Sequence, residues 1–157
     1  MSPRTPGSTP PLVVVDASVS LKWALDDEDA VAQAVALRDD ALAGRLQLTA
    51  PSLWLYEVTN GLVVAARLNR LAGELGAQLL RHILGLRVVR LADPDPDAVY
   101  AASLRHRIAA YDAAYLALAE TLGVPLWTGD RRFYEAVGPA VPLVRWVGDY
   151  PGADVRD

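Results

Sequence analysis

Apolar positions along the chain fall into two alternating kinds of run. Short apolar-rich runs lie at 12–15, 46–49, 86–91, 124–128 and 141–147, the first of them, Leu12-Val13-Val14-Val15, continuously apolar and β-branched. Apolar runs of that length read as strands buried on both faces. Between them, apolar residues return every three or four positions, the period of a helix with one buried stripe. Helices are expected at 17–25, opened by Asp16 or Ser18, and at 29–43, with Gly44 where a C-terminal cap belongs. Others are expected at 52–68, with Pro51 at the first turn, at 72–85, and at 97–107 after the turn Asp93-Pro94-Asp95-Pro96-Asp97. Asp112 opens a further helix ending near Gly123, and 131–137 is the last. Strands alternating with helices imply right-handed βαβ crossovers and a mostly parallel sheet covered on both faces. The fold class is therefore α/β, a three-layer α/β/α domain over 12–149. Residues 1–11, with Pro3, Pro6, Gly7, Pro10 and Pro11, read as a disordered lead-in, and 150–157 as a loose acidic tail.

Composition narrows the chemistry. The 157 residues suit one domain with a real core. The absence of cysteine excludes disulfide scaffolds, zinc–thiolate sites and thiol nucleophiles. No run approaches the roughly 18 apolar residues of a membrane span. The apolar stretch at 12–15 is cut by Asp16 and Lys22, too short for a signal segment, so a cytoplasmic protein is expected. With 15 Lys+Arg against 19 Asp+Glu, the net charge of −4 argues against nucleic-acid binding through bulk positive charge.

In an open α/β sheet, function gathers beyond the carboxyl ends of the strands. Asp16 directly follows the first strand, and Asp130 follows the fourth in Thr128-Gly129-Asp130. Asp112 sits at the N-terminus of the helix leading into that fourth strand. Glu57 lies within the helix after strand two, with Asn60 and Gly61 on its face. Each acid alone has a plain explanation: Asp16 and Asp112 as helix caps, Asp130 as a turn residue, Glu57 as part of a solvated stripe. Their joint placement is what matters. Clustered carboxylates repel one another, and a divalent cation with oxygen ligands relieves the repulsion.

Four segments carry a family resemblance: Val13-Val14-Val15-Asp16-Ala17-Ser18-Val19, Leu55-Tyr56-Glu57-Val58-Thr59-Asn60-Gly61-Leu62, Tyr111-Asp112-Ala113-Ala114-Tyr115-Leu116-Ala117-Leu118-Ala119 and Leu126-Trp127-Thr128-Gly129-Asp130-Arg131-Arg132-Phe133. They resemble, in order and spacing, the signature blocks of PIN-domain nucleases, above all the VapC-type toxins of type II toxin–antitoxin modules. The resemblance implies a five-stranded parallel sheet of order 3-2-1-4-5 and a metal-dependent endoribonuclease. It implies that Asp16, Glu57, Asp112 and Asp130 hold Mg²⁺ or Mn²⁺, that Thr128 occupies the family's hydroxyl position, and that Asn60 and Ser18 support the site. It further implies a homodimer and a small VapB-like antitoxin whose C-terminal segment covers the acidic groove. Gly61 stands where the family often has alanine, and the Pro-rich start is longer than usual.

An RNA substrate then requires local positive charge. Arg131 and Arg132 adjoin Asp130, and Lys22 follows Asp16 by one or two turns, so these three are the candidate phosphate contacts. Arg67 and Arg70 read as ordinary helix-end charge. His82 and His106 lie late in two separate helices, a poor arrangement for shared proton transfer. Trp23, Trp54 and Tyr56 are either core or the wall of a partner groove. The nearly all-apolar helix after Asp112 signals burial or an interface, and the Asp26–Asp29 run reads as a solvated loop and N-cap.

Competing α/β readings fail on particular positions. A haloacid-dehalogenase-like phosphatase needs an acid where Ser18 stands. A receiver domain needs a lysine after a late strand, but Lys22 is the only lysine. A dinucleotide-binding domain lacks its Gly-x-Gly-x-x-Gly after strand one. A housekeeping PIN ribonuclease and a catalytically silent PIN-like binding module remain open, as do the RNA cleaved and the number of metal ions.

Overall fold

A computed structural model describes residues 7–152. Its five strands are β1 (Leu12–Val15), β2 (Gln47–Ala50), β3 (Val89–Leu91), β4 (Leu126–Thr128) and β5 (Val144–Trp146). They form one sheet of order β3-β2-β1-β4-β5, every neighbouring pair parallel. Strand β1 is central: Val14 is in register with Thr49 on one side and Leu126 on the other. Its three valines are buried, as a central parallel strand requires. The chain runs outward from β1 first one way and then the other. The carboxyl ends of β1 and β4 therefore lie side by side at the point where strand order reverses.

The helices are α1 (Ala17–Leu21), α2 (Val31–Leu42), α3 (Leu53–Arg67), α4 (Gly73–Gly85), α5 (Pro96–His106), α6 (Ala110–Leu122) and α7 (Arg131–Val137), with a 3-10 turn at Val147–Asp149. Several boundaries differ from expectation, for local reasons. Helix α1 stops at Leu21 and continues as single turns through Ala24. Helix α2 starts at Val31 because Ala30, in a left-handed conformation (φ 55°), takes the capping position expected of Asp29. Helix α6 starts two residues before Asp112, with Ala109 at its N-cap, so Asp112 lies in the first turn and caps nothing. The run at 86–91 becomes strand only from Val89, since left-handed Arg87 (φ 52°) breaks its start. Strand β5 begins at Val144 because the amides of Val141 and Val144 are engaged in turns.

One large apolar cluster joins the sheet to the helices on both faces. Helix α6 is buried at every position from Ala113 to Ala119 and packs on β1, β4 and α5. Its apolar girth thus reflects burial. Trp23 and Trp54 are core residues whose indole N–H groups donate to the Ala34 carbonyl (2.9 Å) and the Ser20 hydroxyl (3.0 Å). Gly61 packs where a Cβ would meet the end of the Leu21 side chain, which brings α1 close to α3.

Of the expected lead-in, residues 7–10 carry no strand or helix, and Pro11 accepts a backbone bond from Gln47. Residues 1–6 lie outside the described part. The loose tail does not begin at 150: the Tyr150 ring stands edge-on to Trp127 at 5.2 Å and its hydroxyl donates to Asp40. Residues 153–157 are outside the description. Among the described residues, no helix is long and apolar enough to cross a membrane.

Candidate active site

Asp16 and Asp130 are brought together by the corners after β1 and β4. The amide of Asp16 donates to the Trp127 carbonyl (3.0 Å), which extends the ladder between the two strands to the acid itself. One Asp16 oxygen accepts from the backbone N–H of Ser18 (3.4 Å), and the other accepts from the buried hydroxyl of Thr128 (2.8 Å). The Thr128 oxygen in turn accepts from the Asp130 amide (3.0 Å). The Ser18 hydroxyl accepts from the Gly129 amide (2.8 Å). Asp130 caps α7 through one oxygen, accepting from the Phe133 amide (3.2 Å). Capping and site membership are therefore compatible in both residues. Gly129 is needed for the approach: a Cβ there would come within 3.2 Å of the Ser18 carbonyl and 2.5 Å of the Lys22 stem.

Glu57 and Asp112 reach the same region from α3 and α6. Glu57 is half-buried and accepts a hydrogen bond from the hydroxyl of Tyr115 (2.7 Å). Burial pushes the Glu57 carboxyl up to about 7; repulsion from Asp16, Asp112 and Asp130 adds to the rise, and the Tyr115 bond opposes it. Asp112 is pushed up to about 6 by burial and then by the charges of Asp16 and Asp130. Asp16 is also raised, chiefly by burial, against the hydrogen bonds from Thr128 and Ser18. The four carboxylates thus share one electrostatic environment at the carboxyl ends of the central strands.

The donor set fits a hard divalent cation: oxygen ligands only, with negative charge in excess and raised proton affinity that a cation would relieve. Among the described residues, no three or more acidic or His side chains are gathered closely enough to hold a metal ion by themselves. Mg²⁺ keeps several of its waters and needs only one or two carboxylates beside a substrate phosphate. A groove lined by Pro11, Pro125, Pro142 and Tyr150 contains none of the four carboxylates.

The remaining candidates separate. Ser18 and Thr128 belong to the network at the strand ends. Asn60 is exposed one turn beyond Glu57 on α3, and no side-chain hydrogen bond engages it among the described residues. Lys22 is a correction to the RNA contacts. It is only 3% exposed, its stem passes beneath Gly129, and its ammonium is paired with Asp29 at 3.0 Å. Arg131 stays at the surface, its guanidinium 4.5 Å from the centre of the Trp146 ring and 3.3 Å from Asp29. Arg132 is exposed.

The acidic run also departs from a merely solvated loop. Asp27 and Glu28 hold Arg70 at 2.6 and 3.1 Å, while Asp29 bridges Lys22 and Arg131. Arg67 is exposed, His82 lies on α4 and His106 ends α5. Tyr56 is 72% exposed and is no part of the core. Sequence reasoning missed Tyr115 as a partner of Glu57; its signal was the spacing of three residues from Asp112, one helical face.

Comparison with known proteins gives a consistent result. The family model for the PIN domain matches residues 13–139. Ribonuclease VapC3 of Pyrobaculum aerophilum is 35% identical over 99 residues, covering 60% of this chain and 75% of that protein. Exonuclease VapC9 of the same organism is 33% identical over 119 residues, covering 76% and 89%. The crystal structure of PAE2754 from Pyrobaculum aerophilum superposes with a TM-score of 0.62 at 27% identity, covering 83% of this chain and 90% of that one.

Proposed function

Since the chain belongs to the PIN-domain family, in its VapC-type branch, we propose that it is a divalent-metal-dependent endoribonuclease and the toxin of a type II toxin–antitoxin pair. One observation carries the reading. The charge of Asp130 adds to the raised proton affinities of Asp16, Glu57 and Asp112, and that of Asp16 adds to the last two, which supports a shared acidic pocket built from four separate segments. These four residues would hold Mg²⁺ or Mn²⁺. When bound, the ion supplies a Lewis acid that activates water and steadies charge on the leaving oxygen. Thr128 keeps Asp16 oriented, Ser18 ties the Gly129 corner to α1, and Asn60 offers a polar group at the rim. Arg131 and Arg132 meet substrate phosphates at the start of α7.

The catalytic unit is residues 12–149, acting in the cytoplasm. Exposed Tyr100 and Leu104 on α5 support assembly as a homodimer. A VapB-like antitoxin masks the acidic pocket with a basic side chain. It does not need the Asp27–Asp29 loop, whose charges are already paired within the chain.

The test is cleavage of linear and circularised RNA by the purified protein with Mg²⁺, Mn²⁺ or chelator. Metal-dependent cutting of the circle, abolished in Asp16→Asn with the fold intact, is the expected result. Degradation of linear RNA alone makes the enzyme an exonuclease, and full activity in Asp16→Asn sinks the metal site. Expression should also arrest bacterial growth, with relief by the neighbouring small open reading frame. Growth without arrest in several hosts returns the protein to a housekeeping role.

A further inference from the structure

We propose that Tyr115 is a positioning residue that makes Glu57 a one-oxygen ligand: its hydroxyl donates to Oε1 and leaves Oε2 for the cation. The inference rests on the metal-binding reading above and extends it to a residue outside the four carboxylates. The Tyr115 ring is 1% exposed, within the fully buried stretch of α6, yet its hydroxyl stands 2.7 Å from Oε1 of Glu57 on α3. Core packing on β1 and β4 therefore fixes where the hydroxyl is, and the hydroxyl fixes the carboxylate. No cation pairs with Glu57 among the described residues, and no side chain other than Tyr115 hydrogen-bonds it.

The donor's chemistry matters. A lysine or arginine in this place would neutralise Glu57 and weaken the pocket's pull on a divalent ion. A phenol orients the carboxylate without adding positive charge. Glutamate has three side-chain torsions, and unanchored it would lose their freedom on binding the ion. The anchoring bond removes part of that freedom in advance. Asp112 and Tyr115, three residues apart, lie on one face of α6. One rigid helix thus supplies a ligand directly and places a second ligand from α3.

A buried phenol also needs an acceptor simply to be satisfied, so the experiment must separate positioning from stability. Calorimetric titration of the full chain with MnCl₂ is compared for wild type, Tyr115→Phe, Glu57→Gln and the double variant, with a melting curve for each. Tyr115→Phe keeps the ring and removes only the hydroxyl. The expected result is Mn²⁺ affinity about 10- to 100-fold weaker, the usual effect of losing a partner that orients a metal ligand, with the double variant no weaker than Glu57→Gln. Should Tyr115→Phe not fold, Glu57→Asp keeps the charge but withdraws the carboxylate from the phenol, and the same loss is expected. Affinity within twofold of wild type in the tested variant, or additive losses in the double variant, overturns the positioning role. Absence of Mn²⁺ binding by wild type overturns the metal-binding reading itself, and the role of Tyr115 with it.

Discussion

At Asp16 both carboxylate oxygens already have partners, the Ser18 amide and the Thr128 hydroxyl, and the group is buried beside three further acids. Such a site is held against its own charge. The sign for stability follows from the raised proton affinities. The folded chain keeps protons on Glu57 up to about 7 and on Asp112 up to about 6, where the unfolded chain has lost them from 4.5 and 3.8. Stability of the cation-free protein therefore falls as pH rises through that window. Melting curves without divalent ions should give a higher Tm near about pH 5 than near about pH 8. Added Mn²⁺ should raise Tm more at the higher pH, where both carboxyls are free of protons. An equal rise at both pH values would mean that these two groups are not ligands. Thr128→Val should cost about 1–3 kcal/mol in denaturant unfolding, because it leaves the buried Asp16 oxygen and the Asp130 amide without their shared hydroxyl.

Elements are joined at the site by close approaches that differ in how much they yield. At Gly129 a Cβ would press on the backbone carbonyl of Ser18, which cannot rotate away, and on the buried Lys22 stem. Gly129→Ala should therefore cost about 1–3 kcal/mol by overpacking and lower Mn²⁺ affinity by parting the two corners. At Gly61 a Cβ would meet only the methyl end of Leu21. Alanine in the middle of α3 recovers up to about 1 kcal/mol of helix propensity, so Gly61→Ala should change the unfolding midpoint little. The Asp27–Asp29 loop acts at the same scale: consecutive acids tie Arg70 after α3 to Lys22 and to Arg131 on α7. The pairs with Arg70 and Arg131 are long-range in sequence, Lys22–Asp29 spans only seven residues, and no local pattern announces which arginine an exposed acid will meet.

For the whole molecule, a net charge of −4 coexists with a nucleic-acid substrate in the proposed function because acids that hold a metal ion let the ion meet the phosphate. Positive charge acts only locally. Arg132→Ala should weaken RNA binding equally across sequences and reduce the slope of log affinity against log salt by about 0.7, one phosphate contact on a single strand. Lys22→Met should leave that slope unchanged, since the ammonium is buried and paired. A salt slope altered by Lys22→Met would restore lysine to the RNA contacts.

The α/β class and the order of elements were legible because apolar periodicity follows secondary structure directly, and β1 to β5 each lie within or next to an apolar run. The candidate acids were proposed from motifs local in the chain, Asp16 and Asp130 directly after β1 and β4 and Glu57 and Asp112 on α3 and α6. Boundaries at Ala30, Arg87 and Ala109 were not, because they turn on single backbone conformations and capping geometry. The sequence by itself determined the alternation of strands and helices and which acids follow strands, while the point where the sheet reverses came with the family resemblance. Only the tertiary structure decided that Tyr115 holds Glu57, that Lys22 is buried against Gly129, and that the acidic loop is paired. Those facts depend on contacts between segments dozens of residues apart, brought together by packing on both faces of one sheet.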